Sequence, residues 1–447
     1  MRENLKFIWA MDLPQNWTIT RLQNLAEKIT KGTTPTTLGY SYQTHGVNFV
    51  KIESLTESGK FIHSLFAHIN EECDNIISRS SLKEGDILFS IAGALGRVAI
   101  VKKEILPANT NQALAIIRLI DKRLGNYLFH VLKSDIIKDK IKKIQVSTAQ
   151  ANLSLADINN LQVPLPPLPE QQKIAEILST VDEKIEVIEA QINQTTELKK
   201  GLMQQLLTKG IGHTKFKDSP LGKIPESWEV VNPLQLEIDL VDGDRGTNYP
   251  QQSDMNETGF CLFLSAKNVT KNGFKFDECQ FITEKKDREL RKGKLIENDI
   301  VLTTRGTIGN IALYDRNIKF KHIRLNSGMV IIRDKKNYYN KEYLFQYLKS
   351  DLFQKQINTI SFGSAQPQLT IKELKKIKLI MLEIKEQDTI AFIFNQYDNK
   401  IELLKEKYKN YSILKKGLMQ QLLTGKLRVN LNPTNHAPKS GDLQAAK

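Results

Sequence analysis

Three cysteines in 447 residues, Cys73, Cys261 and Cys279, are too few and too scattered for a disulfide framework or a Cys-x-x-Cys metal site. Seven histidines form no cluster with metal-ligand spacing. No Gly-Lys pair is followed by Ser or Thr, so the chain holds no P-loop for ATP. The pairs Asn232-Pro233 and Asn432-Pro433 lack the second proline and the aromatic that an amino-methyltransferase motif requires. No uninterrupted apolar run approaches a membrane span, and the stretch before Pro14 has no sustained apolar segment of the signal-peptide kind. The cytoplasm is the expected compartment, with no membrane partner. What is present is a globular composition, 40% hydrophobic and 26% charged, in a chain long enough for two to four domains. Sixty-four Lys and Arg against 50 Asp and Glu leave a net charge of +14, which favours an anionic partner such as nucleic acid.

The organising feature is a duplication. The segment LKKGLMQQLLT at Leu198–Thr208 returns letter for letter at Leu414–Thr424, 216 residues later. The same offset pairs EQQKIAEILSTVDEKIE from Glu170 with EQDTIAFIFNQYDNKIE from Glu386, LKSD at Leu132 with LKSD at Leu348, and Ala149-Gln150 with Ala365-Gln366. Further upstream the offset drifts: NQALAIIR at Asn111 answers NSGMVIIR at Asn326, GDILFSIAGALG answers NDIVLTTRGTIG, and LPQNW at Leu13 answers IPESW at Ile224. Each half is therefore a diverged front followed by a well-kept end. Helices that diverge more slowly than loops would produce part of that contrast.

The well-kept ends read as long amphipathic helices. Ile174, Leu178, Val181, Ile185, Ile188, Ile192, Thr195, Leu198, Leu202 and Leu206 follow steps of three and four, the heptad signature, and Ile390, Phe394, Tyr397, Ile401, Leu404, Tyr408, Tyr411, Leu414, Leu418 and Leu422 repeat it. A helix over Glu170–Thr208 would be roughly 58 Å long. Neither stripe can be hidden alone, so each helix is the expected mate of the other, and the short connections favour antiparallel pairing. Gly201 and Gly417, inside the helices, suggest close helix contact or a docked partner, against the plainer reading of tolerated surface glycines.

Each front mixes strands and helices. NFVKI, GDILFSI, GRVAIV and LAIIRLI read as strands and GNYLFHVLKSDIIKDKIKKI as a helix, answered by CLFLSA, NDIVLTT, NIALY, MVIIR and KEYLFQYLKSDLFQKQINTI. The expected architecture is mixed α/β: domain 1–165, helix 166–210, domain 211–381, helix 382–426, and a disordered tail 427–447, with pseudo-two-fold symmetry. Loop residues suited to DNA are Lys31, Thr33, Thr34, Arg97, Asn109, Asn111 and Gln112 in the first domain, and Asp244, Arg245, Lys267, Arg305, Arg324, Asn326 and Ser327 in the second. Arg matches guanine edges, Asn and Gln match adenine edges, and Lys, Ser and Thr reach phosphates. Each could equally be a solvated turn or a cap.

KGTTP at Lys31, LPPLPEQQKIAEILSTVDEKI at Leu165, GTNYP at Gly246, RLNSGMVIIR at Arg324, SAQPQLT at Ser364 and the twin LKKGLMQQLLT ends together resemble the specificity subunits of type I restriction-modification systems. The second proline-rich run departs from the first, as IMLEIKEQ at Ile380. The resemblance implies two recognition domains that read the halves of a bipartite, asymmetric double-stranded DNA site. It implies helices that fix their spacing and dock two methyltransferase subunits, with restriction subunits joining the full complex. It also implies no catalysis and no cofactor in this chain; S-adenosylmethionine, ATP and Mg would sit on the partner subunits. Two other classes stay open at this point: a nucleic-acid enzyme with dispersed carboxylates, and a protein-interaction scaffold built on the rod.

Overall fold

The computed structural model describes residues 13–148, 151–361 and 368–431. The Ala149-Gln150 landmark, its counterpart Ala365-Gln366, the start of SAQPQLT and the tail from residue 432 lie outside the described residues. Contacts divide the chain into two compact units, residues 1–188 with 406–447, and residues 189–405. Three helices in each half of the sequence are used below: α1 (Glu71–Ile76), α2 (Gly125–Lys133) and α3 (Leu168–Lys209), then α4 (Glu284–Glu289), α5 (Lys341–Lys349) and α6 (Ile384–Leu422).

Both units are built alike. In the first, four antiparallel strands lie in the order Ala26–Lys31, Leu114–Leu119, Ile87–Ser90, Val98–Ile100. In the second, the order is Asp239–Asp242, Met329–Arg333, Ile300–Thr303, Ile311–Leu313. A three-stranded sheet accompanies each: Val47–Val50 between Ala67–Ile69 and Ala108–Thr110, and Cys261–Leu264 between Phe281–Ile282 and Ile323–Leu325, one pairing antiparallel and one parallel. A bidentate ion pair repeats beneath the four-stranded sheets, Arg118 with buried Asp86 at 2.7 Å and Arg333 with buried Asp299 at 2.6 Å. The expected strands are found. The single expected helix after each is two, because Ser134 and Ser350 are extended, and each hydroxyl accepts from the backbone N–H three residues on, starting a new helix at Asp135 and Asp351.

Each unit also takes the N-terminal half of one long helix and the C-terminal half of the other. In the first unit, Ile174, Ala175 and Leu178 of α3 share a core with Leu422 of α6, and Asp182 pairs with Lys415 at 2.5 Å. In the second, Leu206 and Leu207 pack with Ile390, Ala391 and Phe394, and Lys199 pairs with Asp398 at 2.7 Å. Early residues of one helix meet late residues of the other, so the pairing is antiparallel. Ile174, Leu178, Val181, Ile188, Ile390, Phe394 and Ile401 are buried, and Ile185, Leu202, Tyr397 and Leu418 are half-buried, as the heptads require.

Two expectations need correction. Leu198 and Leu414 are 54% and 48% exposed, and the heptad slot beside each belongs to a lysine, Lys199 or Lys415, neutralised by an aspartate. Gly201 and Gly417 are exposed, and a Cβ added to either would meet open space, so close packing within this chain is not their role.

The repeated EQ at the start of each long helix has a physical reason. Glu170 accepts from the Trp17 indole at 3.0 Å and pairs with Arg428 at 2.6 Å; Glu386 accepts from Trp228 at 3.0 Å and contacts His213 at 2.9 Å. The next residue, Gln171 or Gln387, donates to a carbonyl five residues back, Pro166 or Leu382. These contacts tie the front of a domain, the start of one long helix and the end of the other. Among the described residues no helix is long and apolar enough to cross a membrane.

Candidate nucleic-acid interface

The loops singled out in the sequence converge in each unit. In the first, Thr33 N–H donates to Thr110 O at 3.2 Å, the Thr34 hydroxyl donates to Gln112 Oε1, and Arg79 donates to the Thr30 and Thr33 hydroxyls. Gly32 runs so close to this strand that an added Cβ would fall 1.9 Å from Thr110 O. Gly32→Ala must therefore part the two loops; a loss of about 1–3 kcal/mol is expected in thermal unfolding. In the second unit a Cβ added to Gly243 would likewise fall 2.2 Å from Asn326 O. There Leu325 N–H donates to Gly293 O, Asn326 N–H to Leu264 O, and Thr304 and Arg305 N–H to Gly328 O.

Lys31 and Gln112 are exposed, Thr33, Thr34 and Asn111 half-buried; Arg245, Lys267 and Arg305 are exposed, Asn326 and Ser327 half-buried. Part of the engagement is local: Asn111 Oδ1 and Asn326 Oδ1 each accept a backbone N–H two residues on, and Arg245 donates to Ser327 O at 3.4 Å.

Four expected contact residues are turned inward instead. Asn109 is buried and donates to Asp74 at 2.8 Å and to Ile77 O. Arg324 occupies the matching position in the second unit, also buried, with Nε donating to Asp287 at 2.5 Å and the other nitrogens to Lys292 O and Asp287 O. Asp74 and Asp287 sit at the same place in α1 and α4, so one clasp is made by an amide and the other by a guanidinium. Arg97 is half-buried and its guanidinium donates to Ile52 O and Leu55 O.

Asp244, 5% exposed, accepts from the backbone N–H of Arg291 at 2.7 Å and of Gly246 at 2.9 Å; these bonds hold its carboxyl down at about 2. It is thus a loop clamp. The clamp shapes a recess of about 350 Å³ lined by Asp244, Gly246, Thr247, Asn248 and Arg291, and leaves the Arg291 side chain 77% exposed. Arg291 and its neighbour Lys292 are not among the site residues that the sequence pointed to.

Residues 14–198 and 227–410 each match the family model for the type I restriction modification DNA specificity domain. The chain belongs to that family. It is 30% identical over 439 residues to the type I restriction enzyme MjaVIII specificity subunit of Methanocaldococcus jannaschii, covering 96% of this chain and 97% of that one. It is 29% identical to the putative MjaX specificity subunit of the same organism, at the same coverage. A solved chain of a type I restriction-modification system shares the fold with a TM-score of 0.55 at 18% identity, over 93% of this chain and all of that one. The specificity subunit from M. genitalium does so at 0.54 and 15%, over 92% of this chain and 98% of its own.

As a DNA specificity subunit of a type I system, the chain is non-catalytic. The dispersed-carboxylate enzyme and the pure protein scaffold give way to a DNA-recognition role. Among the described residues no group of three or more His, Cys, Asp or Glu is placed to hold a metal ion.

Proposed function

We propose that the two domains each read one half of a bipartite, asymmetric site on double-stranded DNA, while the long helices set the spacing and dock two methyltransferase subunits. Restriction subunits join the full complex, and S-adenosylmethionine, ATP and Mg act on the partners. The supporting observation is that one framework occurs twice, down to the Arg118–Asp86 and Arg333–Asp299 pairs, yet presents different loops: Lys31–Thr34 with Asn111 and Gln112, against Arg245, Lys267, Arg305 and Asn326–Ser327. A common frame with unlike readers suits a target whose halves differ.

Docking is assigned to the outer face of the helices. Leu198 with Gly201, and Leu414 with Gly417, put an exposed leucine one turn from bare backbone in each copy, and Val187 and Leu403 add exposed apolar surface at matching positions. Large exposed side chains on a helix whose inner slots hold lysines suit a protein partner.

Methylome sequencing of a strain expressing this chain with its methyltransferase tests the reading. One bipartite motif with two unlike halves is expected. Replacing residues 14–165 by the corresponding domain of another specificity subunit should change one half and leave the other half and the spacer intact. Loss of both halves, with the complex still assembled, would refute the division of labour.

A further inference from the structure

The two domains present the same loop end with different numbers of exposed cations, and the inference drawn from this rests on the DNA-reading role above. In the second domain, hydrogen bonds gather five exposed cations there. Arg245 reaches Ser327 O; Arg291 is held through its backbone by Asp244, with Lys292 next to it; Arg305 N–H donates to Gly328 O; and Lys267 follows Leu264, whose carbonyl accepts Asn326 N–H. The Lys267 and Arg291 side chains are 82% and 77% exposed, so their long contacts with Glu278 at 3.6 Å and Asp244 at 3.5 Å, like that of Arg245 with Asp242 at 3.7 Å, are solvent-screened and leave the cations able to turn to a phosphate.

The first domain answers position by position through the shared framework. The matching Asp74, half-buried, and Asp287, buried, place Ser78 opposite Arg291 and Arg79 opposite Lys292. The turn after Val50 places Glu53 opposite Lys267, and the strands Ile87–Ser90 and Ile300–Thr303 place Ala92 opposite Arg305. Glu53 is exposed. Arg79, the cation in that set, directs its guanidinium to the Thr30 and Thr33 hydroxyls. Lys31 and Arg79 are the exposed cations described in that loop cluster, and their neighbours Thr33, Thr34, Asn111 and Gln112 are uncharged.

We propose that the second domain is the electrostatic anchor on DNA. Its loop end neutralises backbone phosphates through Lys267, Arg291 and Lys292, whereas the first domain reads its half-site with uncharged amides and hydroxyls. Phosphate contacts carry no sequence information but set the salt dependence of binding, through release of condensed counterions. The asymmetry therefore predicts where that dependence resides. It also predicts that the second domain meets the duplex first, because the attraction acts beyond contact distance.

The test is the salt dependence of duplex binding by the complex of the full chain with its methyltransferase subunits, using cognate and unrelated DNA. For Lys267→Gln, Arg291→Gln and Lys292→Gln together, the slope of log K against log salt should fall by roughly 0.9 per lost contact, so by up to roughly 2.7. Both DNAs should weaken alike and the methylated sequence should stay the same. Lys31→Gln should lower the slope by less than about one. Adding charge to the first domain with Glu53→Lys and Ala92→Arg should raise it.

An unchanged slope in the triple variant, with unaltered thermal unfolding and assembly, overturns the proposal. So does a changed methylation motif, which would make these side chains base readers. If the unsubstituted complex methylates no defined site, it is the DNA-reading role itself that fails, and the anchor with it.

Discussion

Asp287→Ala should cost the second unit about 3–5 kcal/mol, whereas the equivalent Asp74→Ala should cost the first about 1 kcal/mol. The two aspartates occupy the same place in α4 and α1, but what each holds differs. Asp287, with a side chain 3% exposed, neutralises Arg324, 7% exposed, and also Lys294 at 2.5 Å. Removing the carboxylate leaves a buried guanidinium without its counter-charge, a far larger penalty than the pair itself is worth. Asp74 receives a neutral amide hydrogen from Asn109, which keeps a second acceptor in Ile77 O. Hydrogen exchange is the suitable measurement, because a chain of two units need not unfold in one step. Protection should fall in Cys261–Leu264 and Ile323–Leu325 for the Asp287 variant and stay near native in Val47–Val50 and Ala108–Thr110 for the Asp74 variant. Equal losses in the two variants would mean that Arg324 finds another counter-charge.

The same clasp marks the limit of what the sequence could disclose. RLNS around Arg324 has the chemistry of a guanine reader, since a guanidinium fork fits a base edge and a carboxylate equally well. The carboxylate that claims it lies 37 residues away, at a distance no local pattern reports. Asn109 misled for the same reason. Arg291 was missed because its placement depends on its own backbone N–H bonding to Asp244, which leaves no trace in residue type.

The long helices were legible because spacing by three and four is a direct consequence of helical geometry. Their slips at Leu198 and Leu414, where Lys199 and Lys415 take the slot, arose because an aspartate on the other helix makes a lysine acceptable there. Strands such as Ala26–Lys31 and Ala108–Thr110 were overlooked because AEKITK carries three charges and ANT is too short to show alternation. The repeat itself, read inside one chain, carried most of the architecture.

His130→Gln should stabilise the first unit near neutral pH and remove much of its sensitivity to acid. His130 of α2 is buried beside the long-helix pair, with Nε2 3.1 Å from the Ser179 hydroxyl; its Nδ1 has no hydrogen-bond partner and lies 3.9 Å from Asp182, which Lys415 already engages. The second unit shows the same site completed. Gln346 of α5 donates to Asp398 at 2.7 Å and accepts from Lys199 at 3.0 Å, while Lys199 pairs with Asp398. Copying glutamine into the first unit satisfies the orphaned position, worth about 1–3 kcal/mol.

Acid widens the difference further. Burial first, then the charges of Lys415 and Lys133, lower the His130 pKa from 6.5 to about 3. Because the folded value lies below the unfolded one, the unfolded chain binds the proton first as pH falls. Stability is intact above about pH 6.5 and drains away down to about pH 3, by an amount on the order of 5 kcal/mol. Wild type and His130→Gln should therefore differ little in slope above pH 7 and diverge steadily below 6, with the variant the more stable. The reverse exchange, Gln346→His, should transplant the acid sensitivity to the second unit. Parallel stability curves for wild type and His130→Gln between pH 6.5 and 4 would show that His130 gains a proton in the folded protein as readily as in the unfolded chain.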